Sequence, residues 1–322
     1  MIPKLTTHIF RFFVGAVFVF SGFVKLVDPI GSAYKFEEYF GADVLNLEFL
    51  IPYTLPFSIL LIIIEIMLGV MLLIGYKPKF TVVSLFALTL VFLFLTWYSA
   101  YYNKVTDCGC FGDALKLSTW ATFYKNIVFI SMIAFLLFQI KNINPLFSKI
   151  ATKGLVYLSL FGFLYITYHV LTHLPIIDFR PYAIGKNIKE GMKYLENGEI
   201  PLVHDFSLEN EDSDLTEELL SKEKVMLIIV YDLDKADEKG FENIKKTTEK
   251  AIANGYTVYG VSSSYIDDLV MTQNKYNLPF SFLFCDGTTL KTIIRANPGI
   301  ITLNKGTVTG KWNWVDSEDI KF

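Results

Sequence analysis

Apolar residues run almost unbroken through five stretches of the first half of the chain: residues 8–26, 55–75, 80–100, 122–140 and 154–174. A bilayer core about 30 Å thick is crossed by roughly 20 apolar residues in a helix. Inside hydrocarbon each backbone N–H and C=O needs an internal partner, which a helix supplies. The five stretches therefore predict an α-helical membrane bundle, a four-helix core plus a fifth span, in contact with the lipid bilayer. The first stretch is long for a signal-peptide core, and no small-x-small cleavage site follows it. Past about residue 175 the pattern changes to short alternating runs. These predict strands at 224–231, 256–262, 280–285, 299–304 and 307–314, with helices at about 237–253 and 265–276. Asn304-Lys305-Gly306 reads as the hairpin between the last two strands. Strands alternating with helices predict an α/β domain.

Composition sharpens this division. The chain is 52% hydrophobic and 16% aromatic, with a mean hydropathy of +0.42, above the roughly 45–50% apolar content of soluble domains. The formal net charge of −3 averages two different solvents. There is no basic cluster of the kind that tracks phosphates, which argues against nucleic acid as a partner. Lys4 and Arg11 lie at the start of the first span, Lys77 and Lys79 in the second connection, and Lys141, Lys149 and Lys153 in the fourth. The first connection carries Asp28, Glu37, Glu38, Asp43 and Glu48 against Lys35. Lysine and arginine mark the cytoplasmic side. The expected N-terminus is cytoplasmic, and the third connection and everything after residue 175 are extracytoplasmic.

The sharpest chemical signal lies in the third connection: Asp107-Cys108-Gly109-Cys110-Phe111-Gly112-Asp113. Cα atoms two residues apart lie at most about 7 Å from each other, within disulfide reach only if the chain bends. Gly109 can supply that bend. A bridge across so small a ring is strained and readily exchanged, and disulfides persist outside the cytoplasm. Three readings stay open: a redox-active dithiol, a structural clip, or a Cys₂His₂ metal set completed by His169 and His173, spaced i, i+4 near the outer end of the fifth span. The attacking species is a thiolate, which Asp107 and Asp113 disfavour and the N-terminus of the fourth span favours.

Glu65 sits in mid-span, where a charge costs a few kcal/mol and must be paired or protonated. Lys25, Arg11 and Lys125 are the available partners, in an ion pair that fixes helix register or in a proton relay. Gly15, Gly22 and Gly69 are expected to allow close helix contact.

Taken together, Arg11-(x)₃-Gly15, Ser21-Gly22-(x)₂-Lys25-Leu26, Asp28-Pro29, Glu65-(x)₃-Gly69 and the Cys108–Cys110 motif resemble the DoxX-type membrane family, in its MauE-like branch, over about residues 1–142. The resemblance implies a thiol–disulfide role in the bacterial inner membrane, with Cys108 and Cys110 as carriers, an exported protein as client or redox partner, and a quinone as possible electron acceptor. The order of elements over about residues 200–316 is similar to a thioredoxin-like fold, with Pro298 of Asn297-Pro298 where that fold carries its cis-proline. The position of its Cys-x-x-Cys is taken by Tyr231-Asp232-Leu233-Asp234-Lys235-Ala236, which holds no cysteine. The lone Cys285 reads as a core residue. No phosphate-loop glycine motif follows any strand.

The resulting division is a four-helix domain (1–142), a fifth span (143–175), a juxtamembrane linker (176–199) and a thioredoxin-like domain (200–322). The leading expectation is a membrane thiol–disulfide protein that assists disulfide formation in an exported partner. The alternative is a non-catalytic envelope scaffold whose Cys108–Cys110 pair is a structural clip.

Overall fold

A computed structural model describes residues 2–105, 109–115, 117–194 and 201–322. The chain forms two compact units, Met1–Leu171 and Thr172–Phe322.

The first unit is helical: α1 (Ile2–Val27), α2 (Pro29–Phe40), α3 (Thr54–Ile74), α4 (Pro78–Tyr102), α5 (Thr119–Phe138) and α6 (Lys149–Thr172). All but α2 are long and apolar enough to cross a membrane, so the protein is an integral membrane protein. α1 packs along α3, and α4 along α5. The α1–α3 seam is closed by glycines. A Cβ on Gly22 would lie 2.7 Å from Ile66 Cβ, and one on Gly69 would lie 2.9 Å from the Val19 nitrogen, so any side chain there forces the helices apart. Large apolar groups such as Phe13, Leu60, Phe94 and Phe161 are exposed, as lipid-facing positions should be.

α2 was not expected from hydropathy. Its start is specified locally: Asp28 accepts a bond from the Gly31 N–H at 3.0 Å, and Pro29 occupies the first helical position, a side-chain cap followed by a preset φ. Its buried Tyr39 and Phe40 cluster with Val105.

The second unit contains α7 (Ile188–Gly191), α8 (Thr216–Leu219), β1 (Val225–Val230), α9 (Gly240–Ala253), β2 (Thr257–Ser262), α10 (Ile266–Tyr276), β3 (Phe282–Phe284), α11 (Gly287–Ile293), β4 (Gly299–Asn304) and β5 (Thr307–Asn313). The sheet order is β3-β2-β1-β4-β5. β1 pairs parallel with β2 and β2 with β3, while β4 runs antiparallel to both β1 and β5. The central β1 is buried throughout. Val225, Leu227 and Ile229 enter one core, and Met226, Ile228 and Val230 enter the other, as the two-residue period of a strand requires.

One expectation differs here. Residues 176–194, read as part of a linker, are integrated into this unit: Tyr182 and Ile188 are core residues, and Asn187 bridges to Thr307. α11 has no counterpart among the expected elements; it is started by Asp286, which accepts from the Thr289 N–H at 2.9 Å.

Candidate functional site

Ser21 and Lys25 are spaced i, i+4 on α1 and so project from one face. That face meets Glu65 of α3, which is 2% exposed. Lys25 Nζ pairs with Glu65 Oε2, and the Ser21 hydroxyl lies 2.7 Å from Glu65 Oε1. Each carboxylate oxygen thus has its own partner, which is what a buried charge among apolar helices requires.

The same hydroxyl reaches the cysteine loop, lying 2.7 Å from the backbone carbonyl of Cys110. Two glycines shape that loop. Gly109 and Gly112 have φ of +63° and +50°, a region that disfavours side chains. The Gly112 N–H closes a turn on the Gly109 carbonyl at 3.0 Å. Phe111 is buried, with its ring centroid 5.9 Å from that of Phe20. Lys125 Nζ stands 4.5 Å from the Phe111 centroid, within cation–π range.

Half-buried Cys110 lines a partly open cavity of about 100 Å³. Lys25, Lys35, Glu65 and Lys125 supply charge to its wall, and Phe18, Phe36, Phe92 and Phe129 supply aromatic surface. Asn126 donates to the Thr96 hydroxyl at 3.2 Å on the same wall. A thiol-bearing loop, a buried acid–base pair and cationic side chains therefore share one enclosure. Such a set can bind a planar or anionic group and move protons. Cys108 and Asp107 lie outside the described residues.

Other expected site residues lie elsewhere. Arg11 does not reach Glu65. Its guanidinium donates to the carbonyls of Leu72 (2.9 Å), Leu73 (2.8 Å) and Asn144 (2.9 Å). The last turn of α3 leaves carbonyls without intrahelical donors and carries partial negative charge, and Arg11 sits at that depth. Lys125 stacks on Phe111 instead of pairing with Glu65. His169 belongs to the last turn of α6, while His173 Nδ1 lies 2.6 Å from Asp316 Oδ1. Among the described residues no group of three or more His, Cys, Asp or Glu side chains is placed to hold a metal.

In the second unit, Cys285 is fully buried, and burial pushes its thiol up to about 11. The Asn297–Pro298 bond is cis. It abuts the turn that follows β1: Asn297 donates to the Asp232 carbonyl at 2.6 Å, and the Asp237 N–H donates to the Asn297 carbonyl at 3.0 Å.

A buried cluster with no sequence signal also lies here. Asp178 binds Arg180 through Nε at 2.7 Å and Nη2 at 3.0 Å, and binds Lys311 at 2.6 Å. Burial opposes its charge, but Arg180 and Lys311 hold the carboxyl below the usual carboxylate range. Burial, aided by the Arg180 charge, pushes Lys311 down to about 7 against the pull of Asp178.

No curated protein and no solved structure matches the chain. The likeness to known proteins lies in the membrane unit that carries the cavity, where residues 3–139 match the family model described as Methylamine utilisation protein MauE.

Proposed function

We propose that the protein is a thiol–disulfide redox module of the bacterial inner membrane that assists disulfide formation in an exported partner. Its N-terminus is cytoplasmic, and the Cys108–Cys110 loop and second unit are extracytoplasmic. The observation that carries this reading is the seating of Cys110 on a cavity walled by Ser21, Lys25, Glu65 and Lys125, polar chemistry that an apolar bundle does not need for folding alone. In the proposed cycle the Cys108–Cys110 disulfide takes two electrons and two protons from a client dithiol, leaving the client disulfide and two protein thiols. Reoxidation of those thiols sends two electrons and two protons to an acceptor.

A quinone is the acceptor class we assign, since it accepts both electrons and both protons in becoming the quinol. The cavity fits that class: its aromatic walls match a ring, and Lys25, Lys125 and Asn126 offer donors to ring oxygens. An engineered apolar cavity of about 150 Å³ admits benzene, so a ring here also occupies part of the mouth.

The second unit is proposed as a thioredoxin-like domain that receives the client. In support, a parallel β1–β2 pair is followed by antiparallel β4 and β5, and a cis-proline precedes β4. With no cysteine in the turn after β1, its contribution is binding, not thiol exchange. The test is a trapping experiment in cells: Cys110→Ser and Cys108→Ser variants are separated without reductant. The reading predicts that one of them accumulates a reductant-sensitive adduct with an exported protein. If neither forms an adduct while client disulfides still form at the normal rate, the reading fails.

A further inference from the structure

Charged and apolar side chains exchange their usual places just after α6. Ile176, Ile177 and Phe179 are 56%, 41% and 40% exposed, whereas Arg180 is 3% exposed. Asp178 turns inward as well, where its carboxylate takes the Arg180 fork and the buried Lys311. A segment that faces water turns these residue types the other way. The inversion is fixed from both sides. Asn313 of β5 donates through Nδ2 to the carbonyls of Thr172 at 3.2 Å and His173 at 3.1 Å, and Leu174 packs against the core that holds Tyr182. Beyond the three apolar side chains, the Ala183 N–H turns back to the Arg180 carbonyl at 3.1 Å. The second unit thus holds Ile176, Ile177 and Phe179 outward.

What covers them follows from the element they continue. α6 has 24 residues, a length of about 36 Å at 1.5 Å per residue, against a hydrocarbon core of about 30 Å. A helix of that length that crosses the bilayer ends in the headgroup layer. Tyr165 and Tyr168, both exposed near its end, are of the residue type that settles at that level. Ile176 stands four residues past Thr172, at most about 14 Å of extended chain, and Leu174-Pro175-Ile176-Ile177 carries no charge. Exposed contiguous apolar surface marks a contact with protein or membrane, and continuity with the lipid-facing side of α6 decides for the membrane. We propose that Ile176, Ile177 and Phe179 are a lipid anchor of the second unit, inserted among the headgroups and upper acyl chains of the bilayer that α6 crosses. The Asp178–Arg180–Lys311 cluster keeps the segment in that register by drawing its charged side chains the other way. The anchor recognises lipid by apolar insertion, since none of its three side chains bears a charge. It goes beyond the thiol reading and requires only that α6 spans the membrane.

The experiment uses the full chain with Cys108→Ser and Cys110→Ser, in phosphatidylcholine nanodiscs. Ile176→Cys, Ile177→Cys and Phe179→Cys are added one at a time and labelled with a nitrobenzoxadiazole fluorophore. Cys285, fully buried, stays in place, and the background without a new cysteine gives the blank. Tyr165→Cys on α6 is the lipid reference. Glu249→Cys, exposed on α9, is the water reference, since α9 packs on the core of the opposite sheet face. Phosphatidylcholine with a nitroxide high on its acyl chain reads lipid contact, and aqueous iodide reads water contact. The three anchor labels should lose emission to the nitroxide lipid as the Tyr165→Cys label does and keep it in iodide, with the reverse at Glu249→Cys. Adding Ile176→Asp and Phe179→Asp should return the Ile177→Cys label to iodide, because the protein's own side chains, not the fluorophore, seat the segment. Anchor labels that iodide quenches as it does at Glu249→Cys overturn the proposal. Labels shielded from both reagents also overturn it and assign the segment to a protein contact. An Ile177→Cys label unmoved by the two aspartates overturns it as well. The Cys108–Cys110 pair is absent throughout, so this inference and the thiol reading fail separately.

Discussion

Replacing Lys25 with Met isolates the energetics on which the candidate site depends. The substitution conserves much of the aliphatic volume but leaves Glu65 without its charge partner, inside a bundle where it is 2% exposed. Breaking a buried pair by removing one member costs about 3–5 kcal/mol. Two features hold the loss near the lower end. The Lys25 side chain is 11% exposed, so water already screens part of the attraction. The Ser21 bond also survives, and a hydrogen bond to a charged group contributes about 1.5–3 kcal/mol. A loss of about 3 kcal/mol at neutral pH is expected. Lys25→Met, Glu65→Gln removes both charges and should come within about 1 kcal/mol of the parent, since exchanging a whole buried pair for neutral groups is often close to neutral. The assay is SDS-driven unfolding of the purified full chain in mixed micelles, run on the parent, both single variants and the double variant. A Lys25→Met protein as stable as the double variant would refute the reasoning, because Glu65 would then not depend on its partner.

Arg11→Met leaves the carbonyls of Leu73 and Asn144 without this donor, while the Leu72 carbonyl keeps the Gly75 N–H at 3.2 Å. At about 1–3 kcal/mol per orphaned buried group, it should cost at least ~2 kcal/mol in the same assay. Arg11→Lys, which lacks the planar fork, should fall between the two. Lys311 disfavours its proton in the folded state, being pushed down from 10.5 to about 7. The resulting destabilisation is fully present below pH 7 and is lost as the pH rises toward 10.5. Between pH 7 and 8, below the pH at which Cys285 (ordinary value 9.0) and Tyr182 (10.0) begin to ionise in the unfolded chain, the urea midpoint of the second unit should rise with pH in the parent. Trp312 and Trp314 fluorescence would read this in a Trp97→Phe, Trp120→Phe background, and Lys311→Met should flatten the rise. Cys285, fully buried, should resist maleimide in the native chain and react once the second unit is unfolded by urea, as mass spectrometry of the labelled peptide would show.

The five spans were legible because the bilayer imposes a length that apolar runs must match, and observed α3 and α4 lie close to the expected 55–75 and 80–100. The strands were legible because their side chains alternate between two cores, most clearly in β1. α2 escaped notice because its twelve residues include Lys35, Glu37 and Glu38, and its signal is the local pair Asp28-Pro29, not periodicity. The partners of Arg11 were out of reach for a different reason. They are backbone carbonyls, and a sequence does not display which carbonyls a helix end leaves open. Depth in the bilayer makes Lys125 a candidate partner for Glu65, whereas the Phe111 ring claims it through a loop whose path depends on Gly109 and Gly112. Ser21 stood in plain view as part of a motif, but its role depends on Glu65 and the Cys110 carbonyl meeting at one hydroxyl. Asp178 and Lys311 are 133 residues apart, and no local pattern ties them together.

Electron carriage by Cys108 and Cys110, as proposed, is tested by trapping their thiols in native membranes across a series of glutathione ratios and reading the midpoint potential of the pair. A pair that carries electrons is populated in cells as both dithiol and disulfide, with a midpoint well above about −300 mV and near those of extracytoplasmic oxidants. A pair that stays wholly oxidised, with a midpoint below about −300 mV, is a structural clip and carries none.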